Sequence, residues 1–301
     1  MRSIEIVEVG PRDGLQNEPD ILPTETKAAL IERALALGVR RIEIASFVNP
    51  KRVPQMADAE AVVAAVPRRP GVTRVGLVLN PRGAERALAT DIDELGAVAV
   101  ATDTFAIRNQ GQTSDESVAA AKEIVAMAKA GGRSGQATIS AAFGCPFEGE
   151  VDPARVVAMA AALAEAGPRE IALADTIGCA VPAQVSALIA QVRAVVGAIP
   201  IRAHFHNTRN TGIANAWAAV EAGAVTLDSS LGGLGGCPFA PKATGNIATE
   251  DLAYLLARSG VATGLDLDAL IDAGGWLSGV MGRTLPAMVS RAGTFPTPKV
   301  A

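Results

Sequence analysis

The sequence predicts a (β/α)8 barrel. Strand-like and helix-like runs alternate along the chain, and eight strand candidates can be recognised among its 301 residues. That length suits one large α/β barrel, for which ~250 residues are typical. Hydrophobic residues make up 49% and aromatics only 3%. Small and aliphatic side chains therefore fill the interior, as in a parallel sheet buried on both faces.

The elements follow in order. Ile4–Val9 reads as the first strand, and Thr24–Leu37 as a helix ended by Gly38. Arg41–Phe47, Arg74–Leu79 and Ala97–Ala101 read as the next three strands. Thr113 and Glu116 have capping-box spacing ahead of a helix over Glu116–Ala130. Ala137–Phe143 is the fifth strand. Asp152 then caps a helix over Pro153–Ala166 that stops at Gly167. The remaining strands are Glu170–Asp175, Ile201–His206 and Val225–Ser230. Helices over Pro182–Val196, Ile213–Ala222 (ended by Gly223) and Thr249–Arg258 complete the alternation, with Thr249 before Glu250 as a start signal. No linker-like stretch divides the chain, so residues 1–301 form a single catalytic TIM-barrel domain. Residues 266–301 are its helical C-terminal extension, capping the barrel and loose over the last Thr- and Pro-rich residues. A doubly wound sheet uses the same units and is the alternative. No Gly-x-Gly-x-x-Gly follows the first strand, so the dinucleotide fingerprint is missing there.

The net charge of −4 gives no general electrostatic reason to bind nucleic acid or an anionic membrane. A local basic patch for a phosphorylated substrate is still compatible with it. Few aromatics leave no platform for base stacking. The three cysteines, Cys145, Cys179 and Cys237, are too sparse for a disulfide framework. No apolar run approaches the ~18 residues of a membrane span, and Met1 to Gly10 reads as a strand rather than a signal peptide. A cytoplasmic protein is expected.

Chemistry in such a barrel sits at the C-terminal ends of the strands, and the unusual polar residues fall there. The chain has two histidines, His204 and His206. Side chains two apart on a strand share a face, so both imidazoles can grip one cation; a chance pair on a solvated strand is the bland reading. Asp13, after the first strand, supplies a carboxylate. One carboxylate and two imidazoles suit Mg²⁺, Mn²⁺, Zn²⁺ or Fe²⁺. Asn246 is a candidate fourth ligand from the loop after the eighth strand, with open positions left for substrate oxygens. Arg12 either pairs with Asp13 to hold the loop or offers planar donors to an oxyanion. Gln16 orients that loop or donates to substrate. Cys237 closes a six-residue stretch holding four glycines. It is either a small buried hydrophobe or a thiol that exchanges protons when a mobile loop closes. Cys145 and Cys179 read as structural. Glu43 and Asp175 are each a support for Arg12 or a ligand, and spacing does not decide between them.

Together these segments resemble the 3-hydroxy-3-methylglutaryl-CoA lyase family of metal-dependent barrel lyases. The matching runs are Val7 to Glu18, Ser46 to Asp58, Gly144 to Gly149, Asp175 to Gly178, His204 to His206 and Gly232 to Asp251. The likeness extends from residue 4 to about 293, and Leu15 after Arg12-Asp13-Gly14, with the cysteine loop, favours the lyases over the related synthases. The resemblance implies a divalent cation, Mg²⁺ or Mn²⁺, held by Asp13, His204, His206 and Asn246. It implies that Arg12 steadies the developing enolate, that Cys237 transfers a proton and that Glu43 and Asp175 support the site. Asp175 is also implicated in removing the hydroxyl proton. The implied substrate is 3-hydroxy-3-methylglutaryl-CoA or a close 3-hydroxyacyl-CoA thioester, cleaved to acetyl-CoA and a keto acid. A homodimer is implied as well.

Several positions depart from the family pattern, among them Pro19, Asn207, Arg209 and Gly282. They bear on the group carried at C3 of the substrate more than on the chemistry. Two other readings compete. One is an aldolase or Claisen-type condensing enzyme acting on a 2-oxo acid; the other is an inactive barrel with a binding role.

Overall fold

The computed structural model describes residues 2–236 and 245–296. Eight parallel strands close on themselves in sequence order. They are β1 (Glu5–Glu8), β2 (Arg41–Ser46), β3 (Thr73–Val78), β4 (Glu94–Val100), β5 (Ser134–Ser140), β6 (Ile171–Asp175), β7 (Ile201–Phe205) and β8 (Thr226–Ser229). Pairing of β1 with β8 closes the ring, with Glu5 opposite Thr226 and Glu8 opposite Ser229.

Helices occupy the connections: α1 (Thr24–Ala36), α2 (Ala59–Ala65), α3 (Pro81–Leu88), α4 (Asp103–Gln110), α5 (Ser114–Ala130), α6 (Pro153–Ala164), α7 (Pro182–Val196) and α8 (Gly212–Ala222). After β8 come α9 (Thr249–Arg258), α10 (Leu267–Val280) and α11 (Val289–Ala292). The capping box before α5 forms as its spacing predicts, with Thr113 and Glu116 exchanging side-chain and backbone bonds. Asp152 likewise caps α6, accepting from the Ala154 N–H. Thr249 is the first residue of α9 rather than its cap. Its hydroxyl instead donates to Glu8 at 2.7 Å, because burial leaves that carboxylate in need of donors.

The main core lies between barrel and helices, with Ile42, Ile44, Leu95, Ile139, Leu173 and Leu227 fully buried. A second cluster forms where Leu270 and Leu277 of α10 pack on Leu15, Leu30, Leu231 and Leu234. It seats the C-terminal helices against the turn that follows β1 and the segment that follows β8. Among the described residues, no helix is long and apolar enough to cross a membrane.

The barrel interior is not uniformly apolar. Arg41 of β2 pairs with Glu94 of β4 and, at 2.7 Å, with Glu170, all three buried. Buried charges persist only when paired. Arg202 of β7 contacts the same Glu170 at 3.3 Å, so charge continues upward toward the C-terminal mouth.

Candidate active site

The turn after β1 is a single π-helical turn, Gly10–Gly14. The Val9 carbonyl receives the N–H groups of Arg12, Asp13 and Gly14 at 3.2, 2.8 and 3.2 Å. Such turns are rare and recur at functional sites. Here the turn aims two adjacent charged side chains into the barrel mouth, both nearly buried.

Arg12 donates through Nε to Glu43 at 2.6 Å, and a second guanidinium nitrogen contacts the same carboxylate oxygen. Its Nη1 reaches Asp13 Oδ1 at 2.8 Å. Burial opposes the charge on Arg12, but Glu43 and Asp13 overcome it and hold the guanidinium more firmly protonated than usual. Burial likewise pushes the Glu43 carboxyl up, against the pull of Arg12 and Arg202. Gln16 Nε2 donates to Asp13 Oδ1 at 3.1 Å.

Strand β7 delivers the histidines. His204 lies on the strand and His206 just beyond it, with ring centroids 5.1 Å apart. Their Nε2 atoms lie 3.8 and 3.9 Å from the same Asp13 oxygen, Oδ2. His204 Nδ1 meets Asp228 Oδ2 at 3.0 Å. Asn246 is pinned beside His206 by a two-residue bridge, with Asn207 N bonded to Gly245 O at 2.9 Å and Ile247 N to Phe205 O at 3.2 Å. Its Nδ2 donates to Asp13 Oδ2 at 2.9 Å. Gly235 makes that placement possible: its φ is +134°, and a Cβ there would lie 2.7 Å from Asn246 Nδ2.

Ligand atoms of Asp13, His204 and His206 lie within 4.8 Å of one another, a group that could hold a metal ion. The electrostatics suit one. Burial alone would raise the Asp13 carboxyl, yet Arg12, both histidines and the Asn246 bond bring it down to about 2. Burial and the neighbouring His204 lower His206 to about 4, so its ring is neutral near pH 7. Burial also opposes charge on His204, but Asp228 and Asp13 raise it overall. Two further atoms support the fit. Asn246 Oδ1 and His206 Nδ1 are buried without a protein partner, and buried polar atoms ordinarily find one. An oxygen, two imidazoles and a carboxylate make a donor set suited to a divalent cation.

A cavity of about 450 Å³ opens above these residues. Arg12, Asp13, Gln16, Glu43, His204 and His206 all line it. Leu77, Leu79, Val98 and Phe105 form an apolar wall, and Thr138, Ser140 and Thr176 form a hydroxylic one.

Asp175 is placed differently. It ends β6 between two pocket-lining residues, Ala174 and Thr176, but is not itself in the lining. Its oxygens accept the Cys179 and Ala180 N–H groups at 2.9 and 3.0 Å. Arg209 braces the same loop, donating to the Ile177 and Gly178 carbonyls at 3.0 and 2.9 Å. Cys145 is buried, with the Thr102 hydroxyl donating to its sulfur at 3.0 Å. Cys237 lies outside the described residues. Asp228 and Arg202 belong to the site and were not singled out from the sequence. Each is an inward-facing polar residue of a strand, and only its partners on the adjacent strands give it meaning.

A closed eight-stranded barrel with a carboxylate–imidazole group and a buried guanidinium at its C-terminal mouth defines a barrel enzyme built to stabilise negative charge on a small substrate. The comparisons narrow this. Residues 3–276 match the HMGL-like family. The chain is 46% identical to (R)-citramalyl-CoA lyase of Chloroflexus aurantiacus, covering 97% of this chain and 96% of that one. It is 41% identical to hydroxymethylglutaryl-CoA lyase of Bacillus subtilis, over 95% and 96% of the two chains. A solved HMG-CoA lyase from Acinetobacter baumannii, in complex with coenzyme A and 3-methylmalate, superposes with a TM-score of 0.93 at 40% identity, covering 98% of both chains. The chain belongs to the HMGL-like family, and it is an acyl-CoA lyase that acts on carbon–carbon bonds.

Proposed function

We propose that this protein cleaves the CoA thioester of a 3-hydroxy-3-methyl diacid by a retro-Claisen reaction, releasing acetyl-CoA and a keto acid. The observation that carries the reading is Arg12, charged and buried beside the Asp13–His204–His206 group, with all four in one cavity. The C3 hydroxyl gives up its proton to water in the cavity and becomes a carbonyl as the bond between C2 and C3 breaks, and the electrons of that bond flow to the thioester. That oxygen then needs a cationic donor in a site shielded from water. Arg12 supplies it, with Glu43 fixing the guanidinium plane through two contacts.

A divalent cation, Mg²⁺ or Mn²⁺, would be held by Asp13, His204, His206 and Asn246 and would supply Lewis acidity toward the substrate. Gln16 orients Asp13. Asp175 acts through the loop it braces at the pocket edge. Cys237, assigned from the sequence, returns a proton to C2 and so completes acetyl-CoA. The active assembly is taken to be a homodimer.

Two substrates fit this reading. 3-Hydroxy-3-methylglutaryl-CoA is favoured by the HMG-CoA lyases among the relatives. Citramalyl-CoA, in which one methylene fewer separates C3 from the carboxylate, is favoured by the 46% identity to the Chloroflexus enzyme. The test is acetyl-CoA release from both thioesters with Mg²⁺ or Mn²⁺, with and without EDTA. Metal-dependent release from either supports the reading, and the ratio of kcat/KM values names the substrate. Cleavage of a 4-hydroxy-2-oxo acid with no thioester turnover would move the protein to the aldolases.

A further inference from the structure

The two imidazoles of the site are held differently. His206 Nδ1 is buried with no protein partner. His204 Nδ1 faces Asp228 Oδ2 at 3.0 Å, and the other oxygen of Asp228 forms an ion pair with Arg202 Nε at 3.3 Å. Arg202 is itself held from below by Glu170 at 3.3 Å and donates to Thr138 Oγ1 at 3.3 Å. All of these groups are inside the barrel, and Asp228 and Arg202 are each at most 4% exposed.

We infer that Asp228 and Arg202 are positioning residues that fix His204 in its Nδ1–H form, so that its Nε2 lone pair points at Asp13 and the cation. A carboxylate only accepts hydrogen bonds, so the nitrogen facing Asp228 must carry the hydrogen. The other nitrogen then stands free to ligate, 3.8 Å from Asp13 Oδ2. Arrangements of this kind orient ligand imidazoles and strengthen them as donors. Arg202 adds a condition. Its positive charge lies on one side of residue 228 and favours the oxygen of any amide placed there lying toward it. The residue acts through His204 and touches no substrate atom in this scheme.

The inference rests on the metal-centred reading above, but its test does not depend on turnover. Nitrogen-15 NMR of the metal-free enzyme, recorded at a pH high enough that both of its histidines are neutral, reads the tautomer directly. Nδ1–H at His204 is expected, and Nε2–H there overturns the inference. The second arm uses Asp228→Asn. Arg202 draws the amide oxygen to its side, so the NH₂ faces His204 and forces the hydrogen onto Nε2. Mn²⁺ affinity, measured by titration calorimetry, should fall about 10- to 100-fold. Adding Arg202→Met frees the amide to rotate and should recover about tenfold. A double variant that binds Mn²⁺ no better than Asp228→Asn contradicts the proposed role of Arg202. Melting curves identify any variant that is merely unfolded, and the wild-type spectrum decides the question even then. If wild-type enzyme binds no metal while His204 shows Nδ1–H, the functional reading fails and the positioning stands.

Discussion

Glu8 is a carboxylate buried beneath the active site, and replacing it with glutamine changes stability in a way that depends on pH. Its Oε1 accepts the Gly10 and Leu231 N–H groups at 2.8 and 2.9 Å, and its Oε2 accepts the Thr249 hydroxyl at 2.7 Å. It thus ties the turn carrying Arg12 and Asp13 to the segment after β8. Burial outweighs these donors and raises its pKa from 4.5 to about 7. The folded state therefore holds a proton that the unfolded chain gives up, and Glu8 contributes stability that is full below pH ~4.5 and lost as pH rises through ~7. At about 1.4 kcal/mol per pH unit between those limits, that loss amounts to about 2 kcal/mol from pH 5.5 to pH 8. Glutamine keeps an oxygen for the two N–H groups and never ionises. The difference in unfolding free energy between Glu8→Gln and wild type should move in the variant's favour by about 2 kcal/mol across that range. Urea denaturation at pH 5.5, 6.5, 7.2 and 8.0 (pH values at about half-unit precision) measures it. A difference that stays constant with pH refutes the reasoning.

Asn246→Ala removes an oxygen that is buried without a partner, and Mn²⁺ affinity by calorimetry should fall about tenfold or more; unchanged affinity would remove Asn246 from the ligand set. Arg12→Lys loses the planar two-point contact with Glu43 and should lower kcat about 10²-fold while leaving Mn²⁺ affinity near wild type. Comparable kcat would demote Arg12 to a loop anchor. Burial, with Asp175 close by, pushes the Cys179 thiol up to about 12, so its peptide should stay unmodified by iodoacetamide at pH 8 in the folded enzyme. Rapid labelling there, read by mass spectrometry, contradicts that environment.

The barrel was legible because its signals are local. Each strand candidate overlaps an observed strand, and the Thr113–Glu116 and Asp152–Pro153 pairs mark helix starts by their own backbone chemistry. Boundaries slipped at β4 and β5; β5 begins at Ser134, three residues before the expected Ala137. β4 begins at Glu94, three residues before the expected Ala97, and Glu94 is tolerated only because Arg41, far away in sequence, meets it. The site was partly legible for the same reason. Asp13, His204 and His206 stand out by residue type and spacing, and the fold brings them together. Nothing local marks the π-helical turn at Gly10–Gly14, the partners of Asp228 and Arg202, or the way Asp175 turns toward its own loop. The partners of Asp228 and Arg202 depend on which strand becomes the neighbour of which, and the two local turns carry no residue pattern that announces them.

The proposed chemistry depends most directly on where a cation sits. A crystal of the protein soaked in Mn²⁺ and recorded at the manganese absorption edge should show one strong anomalous peak bounded by Asp13, His204, His206 and Asn246. No peak in that pocket at saturating Mn²⁺, or a peak held by other residues, would contradict the proposed chemistry.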